Sequence, residues 1–305
     1  MAAGFAFKPT ASQAAVGDAG LASEIGDAAR SSIRSGACPG VAVHISLPGR
    51  TLLSNHYGLA NIETATELAG GSVFRIGSLT KQFTAALVVK LASDGKLDLD
   101  DAVSKHLAFF AGSPSFTVRE LLNHTAGLHS DERNVSCPTD LARPKSQIAL
   151  AQEISAQSSP FDFEPGTAWL YSNANYIVLG AVIEQLTAMS LADAAAAMIF
   201  KPLGLDKTAF DSSDAVVAGR VDGYSPVDGS PGSFTHPPII EISEAGGAGA
   251  MRSTASDLGR WHRALFTNRL FDRRFLDEMI TPGRLRDGRL SGENRFSPDD
   301  ASYGE

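Results

Sequence analysis

Ser78-Leu79-Thr80-Lys81 heads an apolar run, Gln82-Phe83-Thr84-Ala85-Ala86-Leu87-Val88-Val89-Lys90-Leu91. A serine hydroxyl is a weak nucleophile at neutral pH and needs a base beside it. On a helix, a lysine three residues later returns to the same face one turn along. Burial in such a run disfavours the ammonium, so a neutral amine could take the serine proton. The spacing predicts acyl transfer through a covalent serine ester. The alternative for Ser78 taken alone is a helix N-cap serine beside a solvated lysine. A second copy of the pattern, Ser93-Asp94-Gly95-Lys96, reads as a helix end, because Gly95 suits a left-handed closing residue and Ser93 and Asp94 form turns.

Tyr171-Ser172-Asn173 is the one Tyr-x-Asn of the chain, between the turn-like Glu164-Pro165-Gly166-Thr167 and the apolar run from Tyr176 to Ile183. That context places it on a loop entering a helix. A phenolic oxygen near a lysine can move protons to and from a serine and its leaving group. An asparagine two residues on offers a donor and an acceptor, to a substrate amide or to the lysine. The plainer reading makes Tyr171 a half-buried packing residue.

With both motifs in this order, the chain resembles the serine β-lactamase and penicillin-recognising superfamily. The likeness is to its class C-like branch, which holds class C β-lactamases, DD-carboxypeptidases, D-aminopeptidases and related esterases. Phe74-Arg75-Ile76-Gly77-Ser78-Leu79-Thr80-Lys81-Gln82-Phe83-Thr84 looks like the nucleophile segment, and residues 95–103 resemble the segment after it. Arg119-Glu120-Leu121-Leu122-Asn123-His124-Thr125-Ala126-Gly127-Leu128 is similar to the Leu-Leu-x-His-Thr-Ser-Gly-Leu signature. Pro202-Leu203-Gly204-Leu205, Gly246-Gly247-Ala248-Gly249 and Ser253-Thr254-Ala255-Ser256-Asp257-Leu258 are further landmarks in the same order. The resemblance covers residues from about 20 to the end. It implies Ser78 as nucleophile, Lys81 as its activating base and Tyr171 as proton carrier, with Asn173, Gly247 and Ala248 at the substrate. Arg75, Glu120 and His124 are expected to be structural, with His124 holding the loop after its helix. Trp169 is expected in a pocket wall or core, and Arg252 is expected to be solvated rather than at a substrate carboxylate.

The resemblance also implies a third motif, Lys-Thr-Gly or His-x-Gly, on a strand that supplies one oxyanion N–H, the other being that of Ser78. His124-Thr125-Ala126-Gly127 lies too early for it, and Tyr303-Gly304-Glu305 resembles the approach to that segment. The sequence therefore reads as stopping before the motif. One lost oxyanion donor costs roughly 10²–10³ in rate, and a lost strand leaves a sheet edge open to a second copy.

The net charge of −8 argues against nucleic-acid partners and an anionic membrane surface. No apolar run reaches about eighteen residues, so no transmembrane segment is expected. Seven histidines and two cysteines show no ligand spacing, so no metal or other cofactor is expected. Cys38 and Cys137 read as free thiols, with a disulfide as the alternative. The absence of a Gly-x-Ser-x-Gly elbow disfavours an α/β-hydrolase. Residues 1–19 read as a disordered tail, which leaves the chain cytoplasmic as written, or as a shortened signal peptide, which would make it periplasmic.

The elements that must position these groups follow from periodicity. Leu21, Ile25, Ala28, Ala29 and Ile33 predict a helix over residues 20–35. Residues 41–45 and 51–53 predict a hairpin across Leu47-Pro48-Gly49-Arg50. Residues 100–215 read as mainly helical, with a polar loop near 129–145 and an alanine-rich helix Leu191–Phe200; Thr254 caps a helix through Trp261 and Leu265. This order suits an α/β (α+β) fold class, an antiparallel sheet flanked by helices, and the resemblance implies that it is β-lactamase/transpeptidase-like. A sheet lobe (20–98 and 216–305) is split by an inserted helical lobe (99–215), with the site in the cleft between them. The resemblance implies that the C-terminal strands and helix are missing. The functional reading is a serine hydrolase acting on ester, amide or β-lactam carbonyls of a small molecule or peptide, esterase- or peptidase-like rather than a dedicated β-lactamase. The alternative is an impaired fragment or pseudoenzyme that binds a ligand or partner without turnover.

Overall fold

The computed structural model describes residues 11–130, 145–238 and 241–297, with side chains from residue 20. In chain order the elements are α1 (Ala11–Arg34), β1 (Gly40–Leu47), β2 (Arg50–Asn61), β3 (Thr66–Glu67), β4 (Phe74–Arg75), α2 (Thr80–Ser93), α3 (Val118–Leu122), α4 (Gln147–Ser155) and α5 (Asn173–Thr187). There follow α6 (Leu191–Ala195), α7 (Lys201–Leu203), β5 (Ala209–Phe210), β6 (Ser225–Pro226), β7 (Phe234–Thr235), α8 (Gly246–Gly249), β8 (Met251–Ser253), α9 (Ala255–Leu265) and α10 (Arg273–Ile280). They group into two compact units: residues 1–74, 217–238 and 254–259, and residues 75–216, 239–253 and 260–305.

In the first unit α1 lies against the β1–β2 hairpin. The helix begins at Ala11, inside the stretch expected as a tail, where Ala11, Ala14, Ala15 and Ala19 supply strong helix formers. Ala29 is buried on its inner stripe and Arg30 lies over the Tyr57 ring, whereas Leu21 and Ala28 face solvent, so the buried stripe is narrower than the spacing suggests. β1 and β2 are antiparallel, from Gly40 opposite Gly58 to Leu47 opposite Arg50, with a bulge at Ile45/Ser46. Gly49 closes the turn at φ 84°, a conformation that a side chain would strain. The sheet order β1-β2-β3 leaves β1 and β3 as its outer strands.

The second unit is built around α2. Phe83, Ala86, Leu87, Val88 and Leu91 have no exposed surface, and Val178, Leu179, Ala181, Val182 and Ile183 of α5 are equally buried. Phe83 stacks on Trp261 at 4.2 Å and meets Phe200 edge-on at 5.9 Å. The alanine-rich helix runs three residues beyond its expected end: α6 passes through a π turn, Ala196–Phe200, into α7. In residues 254–259, which belong to the first unit, Thr254 Oγ1 accepts the Asp257 N–H at 3.1 Å at the start of α9, as its cap. Ser93 closes α2, its hydroxyl bound to the Lys90 carbonyl, and Gly95 follows at φ 70°. Most of the predicted polar loop, Cys137 and Tyr303-Gly304-Glu305 lie outside the described residues. Among the described residues no single helix is long and apolar enough to cross a membrane.

Candidate active site

Ser78, Lys81, Tyr171, Asn173, Gly247 and Ala248 all belong to the second unit. Ser78 sits in a 3₁₀ turn, Gly77–Leu79, that leads into α2, and its side chain caps no helix. Its hydroxyl is on the exposed surface, whereas Lys81, one turn on, is only 7% exposed. An accessible nucleophile thus stands over a buried base.

Ser78, Asn173 and Ala248 each place an oxygen beside the Lys81 amine, and the Tyr171 phenol acts on it as well. Nζ donates to Asn173 Oδ1 and to the Ala248 carbonyl, both at 2.8 Å, and lies 3.3 Å from Ser78 Oγ. A neutral amine has two N–H donors and one lone pair. Two carbonyl-type oxygens can only accept, so they take the two protons and leave the lone pair for the Ser78 hydroxyl. Burial holds the Lys81 ammonium below the ordinary lysine value, against the opposing pull of Tyr171. Tyr171 Oη lies 2.8 Å from Ser78 Oγ, and Lys81 Nζ lies 4.6 Å from the centre of the Tyr171 ring. Tyr171 is 41% exposed, more open than the half-buried packing reading expects. The arrangement can deprotonate Ser78 and carry a proton to an atom arriving from solvent.

The glycine-rich turn supports this chamber from behind. The Gly247 N–H donates to Gln147 Oε1 at 2.9 Å and its carbonyl accepts from Thr84 Oγ1 at 2.8 Å. Gly247 and Ala248, expected at the substrate, have these backbone groups engaged inside the protein, Ala248 through Lys81. Asn173 holds the lysine by its side chain, while its N–H donates to Ser130 Oγ at 3.1 Å. Thr84, Gln147 and Ser130 were not legible as site residues. Thr84 carried one signal, three residues beyond Lys81 on the same helix face; Gln147 and Ser130 carried none.

The remaining expectations divide. Glu120 closes a capping box with Thr117 and pairs with Arg286 at 2.7 Å, and Arg75 pairs with Asp211 at 3.0 Å. Arg252 is not a solvated side chain: it is 21% exposed and pairs at 2.7 Å with the fully buried Asp211 carboxylate. Trp169 lies under the Arg295 guanidinium at 5.3 Å, as wall rather than chemistry. A cavity of about 290 Å³ lined by Ala85, Val89, Leu122, Tyr176 and Pro282 among others does not reach Ser78. Among the described residues no group of three His, Cys, Asp or Glu side chains could hold a metal ion.

The family described as Beta-lactamase matches residues 20–304. Penicillin-binding protein 4* of Bacillus subtilis (strain 168) is 27% identical over 264 residues, covering 80% of this chain and 56% of its own length. A D-stereospecific amidohydrolase from Streptomyces sp. superposes with a TM-score of 0.71 at 28% identity, covering 89% of this chain and 82% of its own. EstCE1, a hydrolase with promiscuous acyltransferase activity, gives 0.70 at 27%, covering 86% of this chain and 77% of its own. The chain spans about half the length of the curated relatives it matches. The fold is the β-lactamase/transpeptidase-like one, of mixed helices and small antiparallel sheets.

Proposed function

We propose that this chain, which belongs to the Beta-lactamase family, is a serine hydrolase that forms an acyl-enzyme on Ser78. The observation that carries the reading is the Lys81 amine, held by Asn173 Oδ1 and the Ala248 carbonyl with its remaining valence towards Ser78 Oγ. Lys81 takes the hydroxyl proton as Oγ bonds to the carbonyl carbon of an ester or amide. The Ser78 N–H donates to the developing oxyanion, and Asn173 Nδ2 meets the acyl side of the substrate. Tyr171 then protonates the leaving group as its bond to carbon breaks. In the second half Tyr171 removes a proton from water, the oxygen adds to the acyl carbon, and the Ser78 Oγ–carbon bond breaks as the Lys81 ammonium returns the proton to Oγ.

The similarity to an amidohydrolase and to a hydrolase with acyltransferase activity favours ester and amide carbonyls over a dedicated role on β-lactams. The test is hydrolysis of a short-chain chromogenic ester by wild type and Ser78→Ala. Turnover lost in the variant, with a single acyl adduct on the wild-type chain by mass spectrometry, is the expected result. Equal, negligible rates in both would overturn the reading in favour of ligand binding without turnover.

A further inference from the structure

Tyr171 is 41% exposed, so core packing alone does not fix a phenol that must stay within hydrogen-bond reach of Ser78. One residue grips it from three directions. The His124 carbonyl accepts the Leu170 N–H at 3.1 Å, and His124 Nδ1 accepts the Ser172 N–H at 3.2 Å, so the residues on either side of Tyr171 are both tied to His124. The imidazole lies 4.7 Å from the Tyr171 ring at a tilt of 32°, with Tyr176 5.2 Å from the same imidazole. His124 adopts φ 60°, in the left-handed region that non-glycine residues seldom occupy. Backbone strain of that kind persists where surrounding contacts over-determine it, and it gathers at functional sites.

The geometry points to His124 as the positioning residue for Tyr171, through which it sets the phenol against Ser78. The inference rests on the proposed Ser78 chemistry. The Ser172 N–H and Asn175 Nδ2 both approach Nδ1 at 3.2 Å, so that nitrogen must be bare and the ring proton sits on Nε2. An imidazolium would turn Nδ1 into a donor facing two donors, release Ser172 and free the loop. His124 touches neither nucleophile nor substrate; its part is to hold Tyr171 Oη at 2.8 Å from Ser78 Oγ.

Two variants separate this from a merely structural role. His124→Asn tolerates a left-handed backbone and places an acceptor oxygen near the position of Nδ1. His124→Gly suits φ 60° still better but removes both acceptor and ring. With the chromogenic ester, His124→Gly, its fold confirmed by circular dichroism, is expected to lose kcat by about 10–100-fold, less than the roughly 10²–10⁴-fold of a general acid–base group removed outright, with KM little changed. His124→Asn should recover to within about fivefold of wild type, since it restores the acceptor. Crystal structures of both variants should show Tyr171 Oη displaced from Ser78 Oγ in His124→Gly alone. The inference is overturned if His124→Gly keeps wild-type kcat, if both variants fall equally, or if the phenol stays in place without the imidazole. Were wild type to show no Ser78-dependent turnover, the proposed function would fail, and the crystallographic position of Tyr171 would by itself decide the role of His124.

Discussion

Asn173 Oδ1 stands 2.8 Å from Lys81 Nζ, so the asparagine of the second motif reaches the lysine of the first, as its tyrosine reaches the serine. The asparagine side chain is neutral, and that neutrality matters. It accepts a hydrogen bond from the amine without adding a negative charge that would favour the ammonium. Asn173→Asp would place a carboxylate at the same point. The lysine should then hold its proton to higher pH, and the acidic limb of the kcat/KM profile should move upward. Wherever the ammonium dominates, every tenfold gain in the proton affinity of the amine lowers its neutral fraction about tenfold. A pH–rate profile of the folded variant checks this, and a limb that stays in place would show that Asn173 does not tune the base.

The pH dependence of wild type follows from the burial of Lys81. Its ammonium is held below the ordinary lysine value of 10.5. A base is active only when neutral, so kcat/KM should rise with pH along a limb that lies below 10.5. Lys81→Arg keeps the charge but cannot lose its proton. We expect that variant to fall by about 10³-fold, in the range of a lost general base, and to show no recovery at alkaline pH. Alkaline recovery in Lys81→Arg would mean that another group deprotonates Ser78.

How far the sequence announced this site depends on which physical term placed each residue. Ser78, Lys81, Tyr171 and Asn173, which the structure brings together, are legible as candidates because each motif stands next to a buried helical run. The second Ser-x-x-Lys copy, Ser93 to Lys96, is a helix end, with Gly95 at φ 70° as local propensity predicts. Gln147 was invisible because its value comes from a contact with Gly247, 100 positions away in sequence. Arg252 was misread as solvated because its partner, Asp211, is brought to it by the pairing of β5 with β8. His124 was expected to hold a loop, but only tertiary structure identifies that loop as the one bearing Tyr171. Local periodicity cannot carry information of that kind.

His124 should also mark the acid stability of the protein. Burial, with Lys81 nearby, pushes its imidazole down from 6.5 to about 4. The unfolded chain therefore binds a proton at this position over a window in which the folded chain does not. Stability is lost as pH falls from 6.5 towards 4 and levels off below that. The size is on the order of 2 kcal/mol, reduced from the full linkage value because the ring is only partly buried. Urea unfolding at a series of pH values should show this slope in wild type and a shallower one in His124→Asn. Identical slopes would place the acid sensitivity elsewhere.

Gly246 offers the sharpest packing test, because two separate penalties meet there. Its φ is 42°, and a Cβ at this position would lie 2.1 Å from Gln147 Oε1. Gly246→Ala must both strain the backbone and push Gln147 off the Gly247 N–H, loosening the turn whose Ala248 carbonyl holds Lys81. A strained left-handed alanine costs about 1–3 kcal/mol, and a buried N–H left without an acceptor adds a similar amount. The variant is expected to lose stability on the order of 3 kcal/mol and to lose activity in the fraction that remains folded. Gln147→Ala removes the steric partner but also strips Gly247 of its acceptor, so it should destabilise by itself. In the double variant the clash is gone while the backbone strain and the orphaned N–H remain. Its loss should therefore be smaller than the sum of the two singles, by about 1 kcal/mol or more, a coupling that double-mutant cycles resolve. Strict additivity would show that Gln147 does not brace this turn, and the support of Lys81 would then have to be sought in Thr84.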